Sequence, residues 1–248
     1  MRIDVALLPG QESDYSRCVC IVVDVLRASS SIVTLLERGT RPVIAAGSID
    51  EARSLHQRLP GFILCGERGG IPPAGFDYGN SPAEFSHIQL EGKGAILATS
   101  NGTRLLASLG GAPAVLVGCL LNRTAVAQAA AQTAGERALD IAVLCSAAYD
   151  GSTFVLEDAL GAGGIVDAAL SADASLEAAD AARFARDAYI TARADLPWAI
   201  ASSYHAGQLA EAGLGDDVAY CARLDMSQIV PVLQRDEDGA LALLPYEP

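Results

Sequence analysis

The stretch "CVCIVVDVLRASSSIVTLLERG", residues 18–39, decides the fold class. Its first half is a continuous apolar run rich in valine, the pattern of a strand buried on both faces. Its second half carries apolar residues at helical spacing and stops at Gly39. A strand running straight into a helix is half of a βα unit, and open α/β sheets bind their ligands at the carboxyl ends of such strands. The strand should end near Asp24 and the helix begin near Ser29 or Ser30. Two readings of the junction stand side by side. In one, a serine caps the helix and Arg27 pairs with a surface acid. In the other, the free N–H groups at the helix start, the Ser29 and Ser30 hydroxyls and the Arg27 guanidinium hold a phosphate or sulfonate, while Asp24 binds a metal or attacks phosphorus.

The same alternation runs along the chain. Strands are predicted near 2–8, 18–25, 42–46, 62–65, 94–98, 114–118 and 139–145. Helices are predicted over about 29–38, 48–59, 101–109, 122–134, 154–170 and 176–194, with shorter pieces at 197–211 and 216–222. The biased segment "SADASLEAADAARFARDA" (171–188) is read as helix from the spacing of Leu176, Ala179, Phe184 and Ala188. Near the end, "SQIVPVLQ" and "GALALLP" flank "RDEDG", a hairpin whose Asp-Gly pair suits a tight turn. The expected architecture is a three-layer α/β/α fold with a mainly parallel sheet, made mixed by this C-terminal hairpin. No Gly-, Ser- or Pro-rich linker interrupts the 248 residues, so one α/β domain spans 1–248, as one globule or two tightly packed lobes. "DVLRASSSIVTLL" and "ATSNGTRLLASL" echo one another, too briefly to assert a duplication.

Thirty acidic and 17 basic residues give a net charge of −13, the wrong sign for a protein that neutralises nucleic-acid phosphates. An anionic ligand would need a local gathering of Arg, hydroxyl and N–H groups, or a divalent cation. The six cysteines lie in apolar runs without a CxxC pair or a His at metal spacing, as expected of buried reduced thiols. No run is long enough for a membrane span and the first apolar run is too short for a secretory signal, so the expected location is cytoplasmic.

Four further stretches carry chemistry. "GERGGIPPAGFDYGNSP" (66–82) has five glycines and three prolines with Glu67, Arg68 and Asp77, and no helical or strand period. Long loops of this kind are usually functional, and Asn80 and Ser81 precede a short helix as capping groups. "TSNGTR" (99–104) is either an Asn-Gly hairpin or a strand-to-helix turn, and the following "RLLASLGG" favours the turn, which could face one anion together with residues 27–31. "GCLLNRT" holds a similar place, with Asn122 or Thr124 at a helix start. In "FVLEDALGAGGIV" (154–166), Glu157 and Asp158 either complement a helix dipole or supply carboxylates to Mg²⁺. His56, His87 and His205 lie near no nucleophile motif and are read as surface or structural residues.

Taken together, "VVDVLRASSSIVTLLERG", "CGERGGIPPAGFDYGNSPAEF", "TSNGTR", "VLEDALGAGGIV" and "DDVAYCARLDMSQIVPVL" resemble the 2-phosphosulfolactate phosphatase family, in order and spacing, from about residue 1 to 233. The resemblance implies a Mg²⁺-dependent acid phosphatase that converts 2-phospho-3-sulfolactate to 3-sulfolactate, a step toward coenzyme M in methanogens. Its implied catalytic residues are Asp24, Arg27 and Glu67. The implied substrate-binding groups are Ser29, Ser30, Arg68, Asn80, Ser81, Asn101 and Thr103, with Arg68 for the second anion, and Asp77 belongs to the same motifs. The implied metal ligands are Asp24, Glu157 and Asp158. The nucleophile is a metal-bound water or Asp24 itself. The expected partner is a small anionic phosphorylated substrate, and a homodimer is the expected assembly. A sensor that binds without turnover and a phosphotransferase with another acceptor are the rival classes.

Overall fold

The computed structural model describes residues 1–8, 14–148, 152–235 and 239–247. In chain order its first elements are β1 (Arg2–Ala6), β2 (Cys18–Val23), α1 (Ala28–Glu37), β3 (Val43–Ala46), α2 (Ile49–Arg58), β4 (Ile63–Gly66) and α3 (Pro82–Phe85). There follow β5 (Ala95–Ala98), α4 (Gly102–Ser108), β6 (Ala114–Gly118), α5 (Arg123–Arg137), β7 (Asp140–Cys145) and α6 (Leu156–Ala172). The chain closes with β8 (Glu177–Ala178), α7 (Asp180–Ala192), α8 (Leu196–Ala201), α9 (Tyr204–Glu211), α10 (Gly215–Cys221), β9 (Pro231–Arg235) and β10 (Leu241–Pro245).

The strands form one mixed sheet in the order β4-β5-β3-β10-β9-β6-β2-β7-β1-β8. Two parallel blocks, β4-β5-β3 and β6-β2-β7-β1-β8, are joined by the antiparallel hairpin β9-β10, which pairs with β3 on one side and β6 on the other. The expected C-terminal hairpin is therefore the seam of the whole sheet. Its predicted Asp-Gly turn is Asp238-Gly239, of which Asp238 lies outside the described residues with 236 and 237, while Gly239 takes the positive φ of 81° that a tight turn uses.

Alternation along β2 explains the three layers. Val19, Ile21 and Val23 pack with Val126, Ala130 and Ile165 of α5 and α6, whereas Cys20 and Val22 pack with Ile32, Leu35 and Leu36 of α1. In the other block, Ile44, Leu64 and Ile96 meet Ala52 and Leu55 of α2. All six cysteines are free thiols, and five are buried. Burial pushes Cys20 up to about 12 and Cys119 up to about 11, so these thiols pack as small apolar groups. Among the described residues no helix is long and apolar enough to cross a membrane.

One predicted helix is corrected. The 176–194 segment divides: Glu177–Ala178 pair with β1 as β8, and α7 starts at Asp180. Phe184, one of the residues whose spacing marked the helix, is 61% exposed, while Ala182, Ala185 and Tyr189 are buried. The reason lies in α6, where a Cβ on Gly163 would stand 2.0 Å from the Ala185 carbonyl oxygen. The two helices touch almost backbone to backbone, and a small-residue face is what fits there. Gly163→Ala should therefore cost about 1–3 kcal/mol by overpacking, read as a lower urea midpoint at unchanged slope.

Candidate active site

Asp24 follows the last residue of β2, at the carboxyl end of a parallel strand. Its Oδ1 accepts the Ala28 N–H at 3.1 Å and its carbonyl accepts the Ser29 N–H at 2.9 Å, so Asp24 takes up the first two N–H groups of α1, while the N-cap position falls on Arg27 and no serine caps the helix. The serines turn away from solvent. Ser29 Oγ accepts the Asp24 N–H at 2.9 Å and donates to the Val22 carbonyl, and Ser30 Oγ donates to the Val25 carbonyl at 2.9 Å. They fix the strand-to-helix turn from behind and do not line the cavity described below.

The two sheet blocks meet at this turn. β5 stands five positions from β2 in the sheet, about 24 Å across a flat sheet at the usual strand spacing. Yet a Cβ on Gly102, at the start of α4, would lie 2.6 Å from Asp24 Oδ2 and 2.7 Å from Ala28 Cβ. The sheet must curl to bring them together, and the TSNGTR segment is the predicted strand-to-helix turn between β5 and α4. Only glycine fits this approach. Gly102→Ala should displace the Asp24 carboxylate and lower kcat about 100-fold while the fold is kept, checked by turnover beside a thermal melt.

A cavity of about 790 Å³ opens at these strand ends, lined by Asp24, Arg27, Glu67, Asn80, Asn101 and Glu157, with His205 and an apolar rim that includes Phe154, Leu156 and Leu209. Glu67 accepts the Ser100 N–H at 2.7 Å on Oε1 and the Gly70 N–H at 2.9 Å on Oε2, tying the glycine-rich loop to the TSNGTR turn. Its carboxylate is committed to holding those loops. Arg27 is buried and donates from Nη1 to Asp217 Oδ2 at 2.8 Å and from Nη2 to the Gly70 carbonyl at 3.1 Å. The surface ion pair considered for Arg27 is thus replaced by a buried one with Asp217, a residue 190 positions away.

Glu157 opens α6 and is 1% exposed. Its Oε1 lies 3.1 Å from His205 Nδ1, and its Oε2 is buried without a hydrogen-bond partner, as is Asn80 Oδ1. Asp158 sits behind the wall, where it accepts the Val25 N–H at 2.8 Å, the Ala147 N–H at 3.2 Å and the Ser146 hydroxyl at 3.1 Å. Burial raises the Asp24 carboxyl above the ordinary aspartate range and the Glu67 charge adds to this, against the Ala28 N–H, the His205 charge and the Ser146 hydroxyl. Burial likewise holds Asp158 well above that range, reinforced by Asp24 and Glu157. For His205, burial works downward, but the Glu157 hydrogen bond and the charges of Glu157 and Asp24 prevail and raise the imidazole.

Of the predicted residues, Asp24, Arg27, Glu67, Asn80, Asn101 and Glu157 come together on one cavity. The others do not line it. Ser29 and Ser30 brace the turn. Thr103 is fully buried and exchanges hydrogen bonds with Thr99. Ser81 caps α3 and bonds Asp217. Arg68 is exposed, folds onto the Glu67 carbonyl at 3.0 Å and is not among the residues that line the cavity. Asp77 accepts the Leu64 N–H at 2.8 Å on Oδ2, which fixes the loop to β4. His205, read as surface or structural, lines the cavity and carries a contact to Glu157. Asp217 was also missed, because an acid in a first helical turn is commonplace; its place in the DDVAYCARLD motif was the available signal.

Residues 6–236 match the family model described as 2-phosphosulpholactate phosphatase. Several proteins named "Probable 2-phosphosulfolactate phosphatase" are similar along nearly the whole chain. That of Pseudothermotoga lettingae is 37% identical over 236 residues, covering 94% of this chain and 96% of its own. That of Carboxydothermus hydrogenoformans is 35% identical over 235 residues, with 93% and 92% covered. That of Deinococcus radiodurans is 37% identical over 252 residues, with 98% and 99% covered.

Proposed function

Because the chain belongs to the 2-phosphosulfolactate phosphatase family, a family of phosphoric monoester hydrolases, we propose that it is a Mg²⁺-dependent phosphatase converting 2-phospho-3-sulfolactate and water to 3-sulfolactate and phosphate. The observation that carries this reading is the meeting of Asp24, Arg27 and Glu157 on one strand-end cavity.

The residues fit a divalent cation. Glu157 Oε2 and Asn80 Oδ1 are buried acceptors without partners, in residues that line the same cavity as a carboxylate, Asp24, that burial disfavours as an anion. Among the described residues no three His, Cys, Asp or Glu side chains converge into a ready-made metal cage. Mg²⁺ does not need one, since it commonly takes one or two carboxylates and completes its shell with water and phosphate oxygens. Asp24, Glu157 and Asn80 would hold it, with Asp158 bracing the wall behind. When bound, it would neutralise charge on the transferring phosphoryl group.

Within this site the Asp24 carboxylate attacks phosphorus and the bond from phosphorus to the substrate's ester oxygen breaks, leaving an aspartyl-phosphate. The alkoxide takes its proton from a cavity water as it leaves in this first step. The hydroxide so formed is the equivalent of water that adds to phosphorus in the second, where the bond from phosphorus to the Asp24 oxygen breaks, Asp24 returns as a carboxylate and hydrogen phosphate is released. Arg27 faces the phosphoryl oxygens as a fixed donor. Its buried partner Asp217 keeps the guanidinium in the wall, so the donor is in place before substrate arrives.

The test is phosphate release from a panel of phosphorylated hydroxy acids that includes 2-phospho-3-sulfolactate, with Mg²⁺ and with EDTA. Turnover of 2-phospho-3-sulfolactate that EDTA abolishes is the expected result. Binding without release would instead indicate a sensor, and release only with an added alcohol acceptor a phosphotransferase.

A further inference from the structure

We propose that Asp217 is a positioning residue for phosphoryl transfer, acting through Arg27 and through the glycine-rich loop that closes the cavity wall. The proposal rests on the reading of Arg27 as the group that faces the phosphoryl oxygens. Asp217 and Arg27 are 1% and 3% exposed in their side chains and stand 2.8 Å apart. A guanidinium at that depth needs a fixed counter-charge, and Asp217 is that charge. One carboxylate oxygen is spent on Arg27. The other, Oδ1, accepts the Ser81 hydroxyl at 2.6 Å and the Ala83 N–H at 3.1 Å, where α3 begins.

These contacts staple both ends of the 66–82 loop to one point. At the far end Ser81 and Ala83 are held by Asp217 directly. At the near end the Gly70 carbonyl accepts Arg27 Nη2 at 3.1 Å, and the Gly70 N–H reaches Glu67 Oε2 at 2.9 Å. A single residue on α10 thus sets the orientation of Arg27 and the path of a loop that carries Glu67 and Asn80 into the cavity. The substitution Asp217→Asn is isosteric, yet the amide cannot do both jobs. Turned one way its N–H₂ faces the Arg27 donor, and turned the other it faces the Ala83 N–H.

The test is a double-mutant cycle of Arg27→Ala and Asp217→Asn on phosphate release from 2-phospho-3-sulfolactate, with a melting curve for each protein and with guanidinium ion added below denaturing concentrations. Arg27→Ala should lower kcat about 100-fold. Asp217→Asn should lower it about 10- to 100-fold while KM moves far less. The double variant should lose clearly less than the product of the two single losses, because the part of the Asp217 effect that runs through Arg27 is already gone. Added guanidinium should restore activity to Arg27→Ala and not to the double variant, since only the intact carboxylate can seat it. Multiplying losses, or rescue that ignores position 217, would make Asp217 merely structural and overturn the proposal. Full activity in Arg27→Ala would overturn the reading of Arg27 itself, a distinct outcome. Should Arg27→Ala fail to fold, the cycle runs with Arg27→Lys, which keeps a cation against Asp217: non-additive losses support positioning and additive losses reject it.

Discussion

Asp24→Asn should abolish turnover, with kcat lower by at least about 10³-fold, and yet make the metal-free protein more heat-stable at neutral pH. Both effects come from one carboxylate. An amide cannot attack phosphorus, so the chemical step is lost. The amide oxygen can still accept the Ala28 N–H, so the first N–H of α1 keeps its partner. Stability follows from the direction of the Asp24 shift. Burial raises its carboxyl above the unfolded value of about 3.9, so the folded state prefers the protonated form. That preference contributes its full stability below the unfolded value and loses it as pH rises through the folded one. The amide suffers no such loss. The variant's melting temperature should therefore equal the native one near pH 3 and exceed it increasingly toward pH 7, a trend readable in a pH series of thermal melts without metal. An Asp24→Asn protein that melts lower at neutral pH would mean that the carboxylate is there to hold the fold.

Glu157→Gln should raise the Mg²⁺ concentration needed for half-maximal activity by about 10- to 100-fold, and EDTA should silence the native enzyme until Mg²⁺ is returned. Glu157 Oε1 is engaged by His205, while Oε2 is buried without a partner. An unpaired carboxylate oxygen at 1% exposure is costly, and a bound cation would relieve it. In the Glu157→Gln variant an amide N–H₂ takes the place of one of those two oxygens and repels a cation from it. Titrating activity with Mg²⁺ in both proteins measures the shift directly. Equal midpoints would remove Glu157 from the metal site, and EDTA-resistant turnover would remove the metal from the reaction.

The layers were legible because β2, β6 and β7 are continuous apolar runs, each followed by a helical period, and such runs leave little choice but a buried parallel sheet. The sheet order was not legible. Which strands β9 and β10 join depends on pairings with β6 and β3 more than 100 residues earlier, and no local period carries that. The face that α7 buries was not legible, for a local reason. Phe184 is the largest of the residues whose spacing marked the helix, but the close approach to α6 at Gly163 selects the small faces of Ala182 and Ala185.

The cavity was legible where residues sit at strand ends, since Asp24, Glu67 and Asn101 each follow a parallel strand within three residues. It was illegible where a role depends on direction. Ser29, Ser30, Thr103 and Arg68 have the chemistry to bind anions, but their side chains turn into the backbone around them. His205 and Asp217 reach the site from the C-terminal helices, from which only packing brings them.

The claim at the centre of this account is that Asp24 attacks phosphorus. It is tested most directly by quenching the enzyme during turnover of 2-phospho-3-sulfolactate and reducing the trapped protein with borohydride, which converts an aspartyl-phosphate to homoserine. Mass spectrometry of the peptide that contains residue 24 should show homoserine at that position, and only when substrate and Mg²⁺ are both present. An unmodified Asp24 in a sample quenched at full turnover would contradict the account and assign the attack to water.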